Sequence, residues 1–293
     1  MSEFNITEYL SKYKQYNDMQ IVPRAVPYFS FYSLRLLECP YRYKRMVIER
    51  DPRSKLQDFR NALSGSCVHG LAEMFLKGRH KDLSWLKENA LPVFNKIISE
   101  VPVLNWRGSP DEDKAAVLES VNQMVDYLIQ YFKEINLLES AKIFPEHTFK
   151  TMIAGEVKVN PLAVSGRVDL ITVSRDGFVD VYDFKCVNGI SEEGLSYLQF
   201  LFYSIGVQSM DIGKLRSMSF ILPALKMDLP VSFSNKDYEN FIKRIKLAHK
   251  EVAQCNKTGF FAKPGRQCSF CMYKTGECDK YKLLDLKPSY FNK

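Results

Sequence analysis

Several absences bound what this 293-residue chain can be. No run of about 18 uninterrupted apolar residues occurs, so no membrane-spanning helix is expected. The opening, MSEFNITEYL, lacks the build of a secretory signal or a basic transit peptide, which makes a cytoplasmic, or otherwise intracellular, setting the expectation. No G-x-x-x-x-G-K-[ST] phosphate loop is present, so any unwinding of nucleic acid must come from elsewhere. Internal repeats, low-complexity tracts and long linkers are also missing. Cysteine is scarce and odd in number, seven in all, which excludes a secreted disulfide scaffold of this length.

What is there suits a folded protein: 46% hydrophobic and 26% charged residues can bury a real core. Lysine and arginine outnumber acids 41 to 34, and the net charge of +7 favours a polyanionic partner, nucleic acid first. Residues 1–27 are polar, end in Pro23 and Pro27, and read as an arm. Residues 28–293 read as a single domain. Within it, 28–142 are helical, with a Ser30-capped helix leading to Cys39-Pro40 and further helices from about Asp58, over 85–98 and over 115–132. From Ile143 to residue 256 the texture becomes β-branched and aromatic. Strands are expected over 149–153, 163–173, 178–186, 218–222 and 231–233, with helices over 195–210 and 236–254. Residues 257–293 form a Cys-rich tail. The fold class is therefore α/β, a mixed sheet flanked by helices.

Ser174-Arg175-Asp176-Gly177 closes a hairpin between the second and third of these strands. Centring the hairpin on Asp176 puts Asp169 opposite Asp183, and the period of two puts Lys185 on the same face as Asp183. Charges on a hairpin are by themselves ordinary surface charges. Two carboxylates packed together, however, raise each other's pKa and resist burial, and a hard divalent cation resolves that conflict. Mg²⁺ or Mn²⁺ would take oxygens from Asp169, Asp183 and the Phe184 carbonyl. Such an ion polarises a phosphodiester and acidifies a bound water, while Lys185 orients that water or offsets transition-state charge.

Gly166-Arg167-Val168-Asp169 followed by Asp183-Phe184-Lys185 resembles the acid and D-x-K signature of the PD-(D/E)XK nuclease superfamily. The segment from Leu198 through Gln199 to Tyr203 resembles the Q-x-x-x-Y element of its RecB-like exonuclease branch. The segment from Gly65 through His69 to Glu73 looks like that branch's histidine-bearing helix. The resemblance spans residues 30 to 280. It implies a restriction-endonuclease-like core, metal binding by Asp169 and Asp183, a catalytic Lys185, and His69 as a further ligand or scissile-site contact. It also implies that Gln199 and Tyr203 orient the lysine or the nucleic-acid backbone, and it marks Glu146 as an additional acidic candidate. Phe184 stands where tyrosine is common and Cys186 where threonine is common; neither change removes a charged group. His80, His147 and His249 lack comparable context and read as surface residues.

Cys268, Cys271 and Cys278 crowd the tail, and Cys39 is the natural fourth thiol. Spacing alone fits zinc or an iron–sulfur cluster. The Cys-Pro helix with this tail resembles the iron–sulfur staple of CRISPR-associated exonucleases and AddB-type recombination subunits, which implies a structural [4Fe–4S] cluster, with zinc the alternative. Cys67, Cys186 and Cys255 read as small buried residues.

Tyr41-Arg42-Tyr43-Lys44-Arg45 interleaves rings with positive charge, and Lys243, Arg244, Lys246 and Lys250 make a basic helix face; both suit a DNA single strand. The expectation is a metal-dependent DNA exonuclease acting on single-stranded or free ends in recombination, repair, replication or CRISPR adaptation, with a helicase or other DNA-processing protein as the expected partner. The competing readings are a non-catalytic DNA-binding subunit and a zinc-stabilised interaction protein.

Overall fold

The structure, a computed structural model, describes residues 15–16, 28–49, 59–100, 109–153, 162–190, 195–271, 273 and 278. In chain order its main elements are β1 (Gln15–Tyr16), α1 (Phe31–Leu36), α2 (Pro40–Tyr43), α3 (Phe59–Lys77), α4 (Ser84–Glu88), α5 (Ala90–Glu100), α6 (Pro110–Glu134), β2 (Lys142–Ile153), β3 (Leu162–Val173), β4 (Phe178–Phe184), α7 (Leu198–Ser209), β5 (Lys214–Leu222), β6 (Met227–Pro230) and α8 (Asn235–Thr258). Apart from β1, the expected N-terminal arm lies outside the described residues. Two compact units form: residues 1–28 with 57–239, and residues 29–56 with 240–293. No helix among the described residues is long and apolar enough to cross a membrane.

The first unit holds a six-stranded sheet in sequence order. β1 to β4 run antiparallel, β5 lies parallel to β4, and β6 is antiparallel to β5. A parallel step needs a crossover, and α7 supplies it. Alternation along the hairpin strands sorts their faces. Leu170, Tyr182 and Phe184 join the apolar stripes of α3 to α6, including Leu71, Phe75, Val125 and Leu128, in one core. The other face receives α7, which packs on β2, β3 and β5. It sits close because two residues there have no side chain. A Cβ added at Gly166 or Gly206 would come within 2.6 and 2.5 Å of the Phe149 ring, so glycine at both lets that ring slot between strand and helix. This is the α/β restriction-endonuclease-like architecture expected.

In the second unit, Ser30 caps α1 in a capping box: Ser33 N donates to Ser30 Oγ (3.1 Å) and Ser30 N to Ser33 Oγ (2.8 Å). Cys39 then takes the N-terminal flanking position of α2 without a side-chain cap, and Pro40 opens the first turn.

Three of the departures from the expected elements bear on how the chain is laid out. The helix expected over 85–98 is two, α4 and α5, parted at Asn89, whose amide donates to the Trp85 carbonyl (2.9 Å). The strand expected to begin at Phe149 begins at Lys142. The strand expected over 231–233 lies instead at Met227–Pro230, with only Val231 N still donating to Met218 O beyond it (2.8 Å).

Candidate active site

The hairpin builds the site's floor. Gly177 takes φ +78°, Gly177 N donates to Ser174 O, and the strands pair Thr172 with Asp180, Ile171 with Val181 and Leu170 with Tyr182. One further step of that register brings Asp169 to Asp183. There the Phe184 amide donates to Asp169 Oδ2 (2.8 Å). Lys185 continues the strand line by donating its amide to Ile221 O (2.9 Å), and its ammonium forms an ion pair with Asp183 Oδ2.

β2 contributes a third carboxylate. Its ladder to β3 pairs Pro145 with Leu170 and His147 with Val168, leaving Glu146, opposite Asp169, out of the pairing. Glu146 has φ +46°, a left-handed conformation that costs an L-residue roughly 1–2 kcal/mol and that concentrates at functional positions. Its side chain is only 7% exposed and lies 3.3 Å (Oε1) from His69 Nδ1. His69, on α3, also faces Asp169 Oδ2 (3.7 Å), and its Nε2 lies 3.0 Å from the Phe184 carbonyl. A carbonyl only accepts, so Nε2 carries the proton and Nδ1 faces the carboxylates. One donor atom each from His69, Glu146 and Asp169 lies within 4.8 Å of the others. Hard oxygens with one imidazole, oriented by a backbone carbonyl, fit a divalent cation such as Mg²⁺ or Mn²⁺.

Asp183 is differently placed. It is fully buried. Its Oδ1 accepts from Gln199 Nε2 (2.8 Å) and from Tyr203 OH (2.8 Å), while Oδ2 meets Lys185. Gln199 also donates to the Tyr203 oxygen. The two residues are four apart on α7, which puts both on one helix face. Asp183 therefore stands beside the three-donor group, with both oxygens engaged, and the Phe184 carbonyl is engaged by His69.

The electrostatics follow from crowding. Burial acts to lower the His69 pKa, but Asp169, Glu146 and Asp183 outweigh it and hold it up at about 9. Asp169 is pushed up to about 7 by burial and by Asp183. Burial opposes the charge on Lys185, yet Asp183 and Asp169 raise its pKa. Burial, together with Asp183, raises the Tyr203 hydroxyl well above its usual value and keeps it a donor. Three carboxylates thus share a pocket that demands positive charge, which a protonated His69 supplies when no cation does.

Two participants carry weaker sequence signals. Glu146 is brought into the site at an unpaired, left-handed position of β2, which no period-two pattern announces. Arg167 lies two residues before Asp169. Its side chain is 68% exposed, and its Nε sits 2.8 Å from Glu146 Oε2.

In the second unit Cys39, Cys268, Cys271 and Cys278 line one cavity together with Arg42. Cys39 Sγ accepts from Lys263 N and Cys268 Sγ from Gly265 N, each at 3.4 Å. Burial and the neighbouring thiols raise the Cys271 pKa against the Tyr273 amide and Arg42. The Tyr–basic stretch does not present its rings as expected. Tyr43 is buried and stacks on Phe260 (6.4 Å), Tyr41 packs edge-on against Tyr273, and Arg45 pairs with Glu49. On α8, Lys243, Arg244 and Lys250 are exposed and Lys246 half-buried.

Set against known proteins, the chain matches the family model of the PD-(D/E)XK nuclease superfamily over residues 29–276. No curated protein matches. A solved structure titled "Crystal structure of SSO0001" aligns over 91% of this chain and 90% of that one, at 12% identity and a TM-score of 0.33, too loose to bear on the site.

Proposed function

The chain belongs to the PD-(D/E)XK nuclease superfamily, and on that premise we propose that it is a metal-dependent DNA exonuclease of the RecB-like branch that works on single-stranded ends. The convergence of His69, Glu146 and Asp169 beside the Asp183–Lys185 pair carries this reading.

His69 Nδ1, Glu146 and Asp169 would hold Mg²⁺ or Mn²⁺, with Asp183 at the margin of the group. Bound there, the ion supplies Lewis-acid polarisation of the phosphodiester and a more acidic water. The chain's own groups do the rest. Lys185, kept charged by Asp183, donates to a phosphate oxygen where negative charge develops. Gln199 and Tyr203 fix Asp183 and through it the amine, because every lone pair they occupy removes a way for the carboxylate to turn. Arg167, anchored through Nε, offers its remaining guanidinium nitrogens to a phosphate.

The four cysteines would hold a structural [4Fe–4S] cluster. Supporting that assignment are their shared cavity and the backbone amides aimed at Cys39 and Cys268, since N–H donors stabilise ligated thiolates. A helicase or other DNA-processing partner in recombination, repair or CRISPR adaptation would supply the ends.

The deciding experiment is digestion of end-labelled single- and double-stranded DNA with Mg²⁺, with Mn²⁺ and with EDTA. Metal-dependent loss of single-stranded label as short products is the expected result. Cleavage unaffected by EDTA, or internal cuts only, overturns the reading.

A further inference from the structure

α7 is almost wholly buried from Phe200 to Val207, but the residue that caps it is not. Tyr197 is 48% exposed. A lone exposed tyrosine is ordinary, so its position has to carry the argument. Its ring meets Phe220 at 5.9 Å and 68°, an edge contact that covers at most one of its faces. Phe220 is itself fully buried, wedged edge-on against Phe200 at 4.7 Å, and the Lys185 amine lies 5.9 Å from the same Phe220 ring. Two residues after Tyr197, Gln199 donates to Asp183. An exposed aromatic and Lys185 therefore both lie against one fully buried phenylalanine. The two 5.9 Å separations put the Tyr197 ring no more than about 12 Å from the Lys185 amine, within a few nucleotides of the phosphate that Lys185 faces.

We propose that Tyr197 stacks on an unpaired base next to the scissile phosphate and so sets the enzyme's preference for single-stranded ends. The proposal rests on the nuclease reading and deepens it. A base inside a duplex has both faces covered by its neighbours and has no face to give the ring. A base at a single-stranded end has one. The tyrosines of the basic stretch, Tyr43 above all, are packed inward and do not offer this surface. Stacking of one base on an aromatic side chain is worth about 1–3 kcal/mol, and the ring's selectivity is for strandedness, not for sequence.

The test uses the full chain and its Tyr197→Ala, Tyr197→Phe and Tyr197→Trp variants with Mn²⁺. On a single-stranded oligonucleotide, Tyr197→Ala should raise KM about tenfold and change kcat by less than about twofold, while cleavage of blunt duplex changes less. Phe and Trp should restore the wild-type KM, which a merely structural role would not predict. A second arm needs no cleavage. In EDTA, an oligonucleotide carrying 2-aminopurine near its end should be quenched by wild type, Phe and Trp and left bright by Ala, with equal thermal melting for all four. An unchanged KM, an equal loss on both substrates, or quenching that survives Tyr197→Ala overturns the proposal. If wild type cuts no DNA, the nuclease reading fails, and the quenching arm still decides whether Tyr197 stacks on bases.

Discussion

Asp183 is fully buried, and Lys185, Gln199 and Tyr203 answer its charge directly. Removing one partner of such a buried pair costs about 3–5 kcal/mol, because the remaining charge stays behind uncompensated. Lys185→Ala should therefore lower both the melting temperature and cleavage, cleavage by at least about a hundredfold. The double variant Asp183→Asn/Lys185→Met should recover the melting temperature and stay inactive. Cleavage by Lys185→Ala at the wild-type rate would remove the lysine from the mechanism.

His249 gives the residue scale its pH test. It reads as a surface histidine in the sequence, yet it is half-buried, packs edge-on against Phe29 at 4.8 Å, and its Nε2 has no hydrogen-bond partner among the described residues. Burial lowers its pKa to about 4. The unfolded chain, with an ordinary histidine near 6.5, binds the extra proton first as pH falls. Stability from this group is thus complete above about 6.5 and drains away down to about 4. In His249→Phe, the fall in melting temperature across that window should be shallower. An identical slope in the two proteins would count against it.

These residues also show what a sequence can convey. Asp169, Asp183 and Lys185 were readable because a four-residue turn and a period of two fix their relative positions. Glu146 was legible only by resemblance, since a left-handed, unpaired backbone at a non-glycine residue has no signature in the sequence pattern. His249 was misread because helix periodicity shows which positions share a face and does not show what covers that face.

At the scale of elements, α7 does two jobs: it links the parallel strands, and it aims Gln199 and Tyr203 at Asp183. Its seating depends on Phe149 lying between Gly166 and Gly206. Gly206→Ala puts a carbon 2.5 Å from that buried ring, so helix or ring must move. Overpacking of this kind costs about 1–3 kcal/mol. The variant should melt lower and cleave more slowly, because the shift reaches Asp183 through Gln199 and Tyr203. Adding Phe149→Leu should recover part of both losses, and a double variant no better than Gly206→Ala would show that the ring is not the obstacle. The sequence marks α7 and the hairpin clearly, through apolar density and turn chemistry. It hid the break between α4 and α5, because apolar periodicity runs straight across Asn89.

At the scale of the whole chain, the second unit is made of two segments far apart in sequence, with residues 57–239 between them. Bringing such segments together carries a loop-closure cost that grows with the length between them, and a ligand spanning both offsets it. The proposed cluster would do so, with Cys39 from one segment and Cys268, Cys271 and Cys278 from the other. Two metal sites of different chemistry should then fail separately. EDTA should abolish cleavage with little change in melting temperature, since its target would be the hard cation proposed for His69, Glu146 and Asp169. Cys39→Ser should lose colour, iron and acid-labile sulfide, and lower stability by at least about 3 kcal/mol, the scale of other long-range cross-links. Purified protein holding zinc in place of iron and sulfide, or a Cys39→Ser variant as coloured and stable as wild type, would overturn the cluster assignment while leaving the nuclease site untouched.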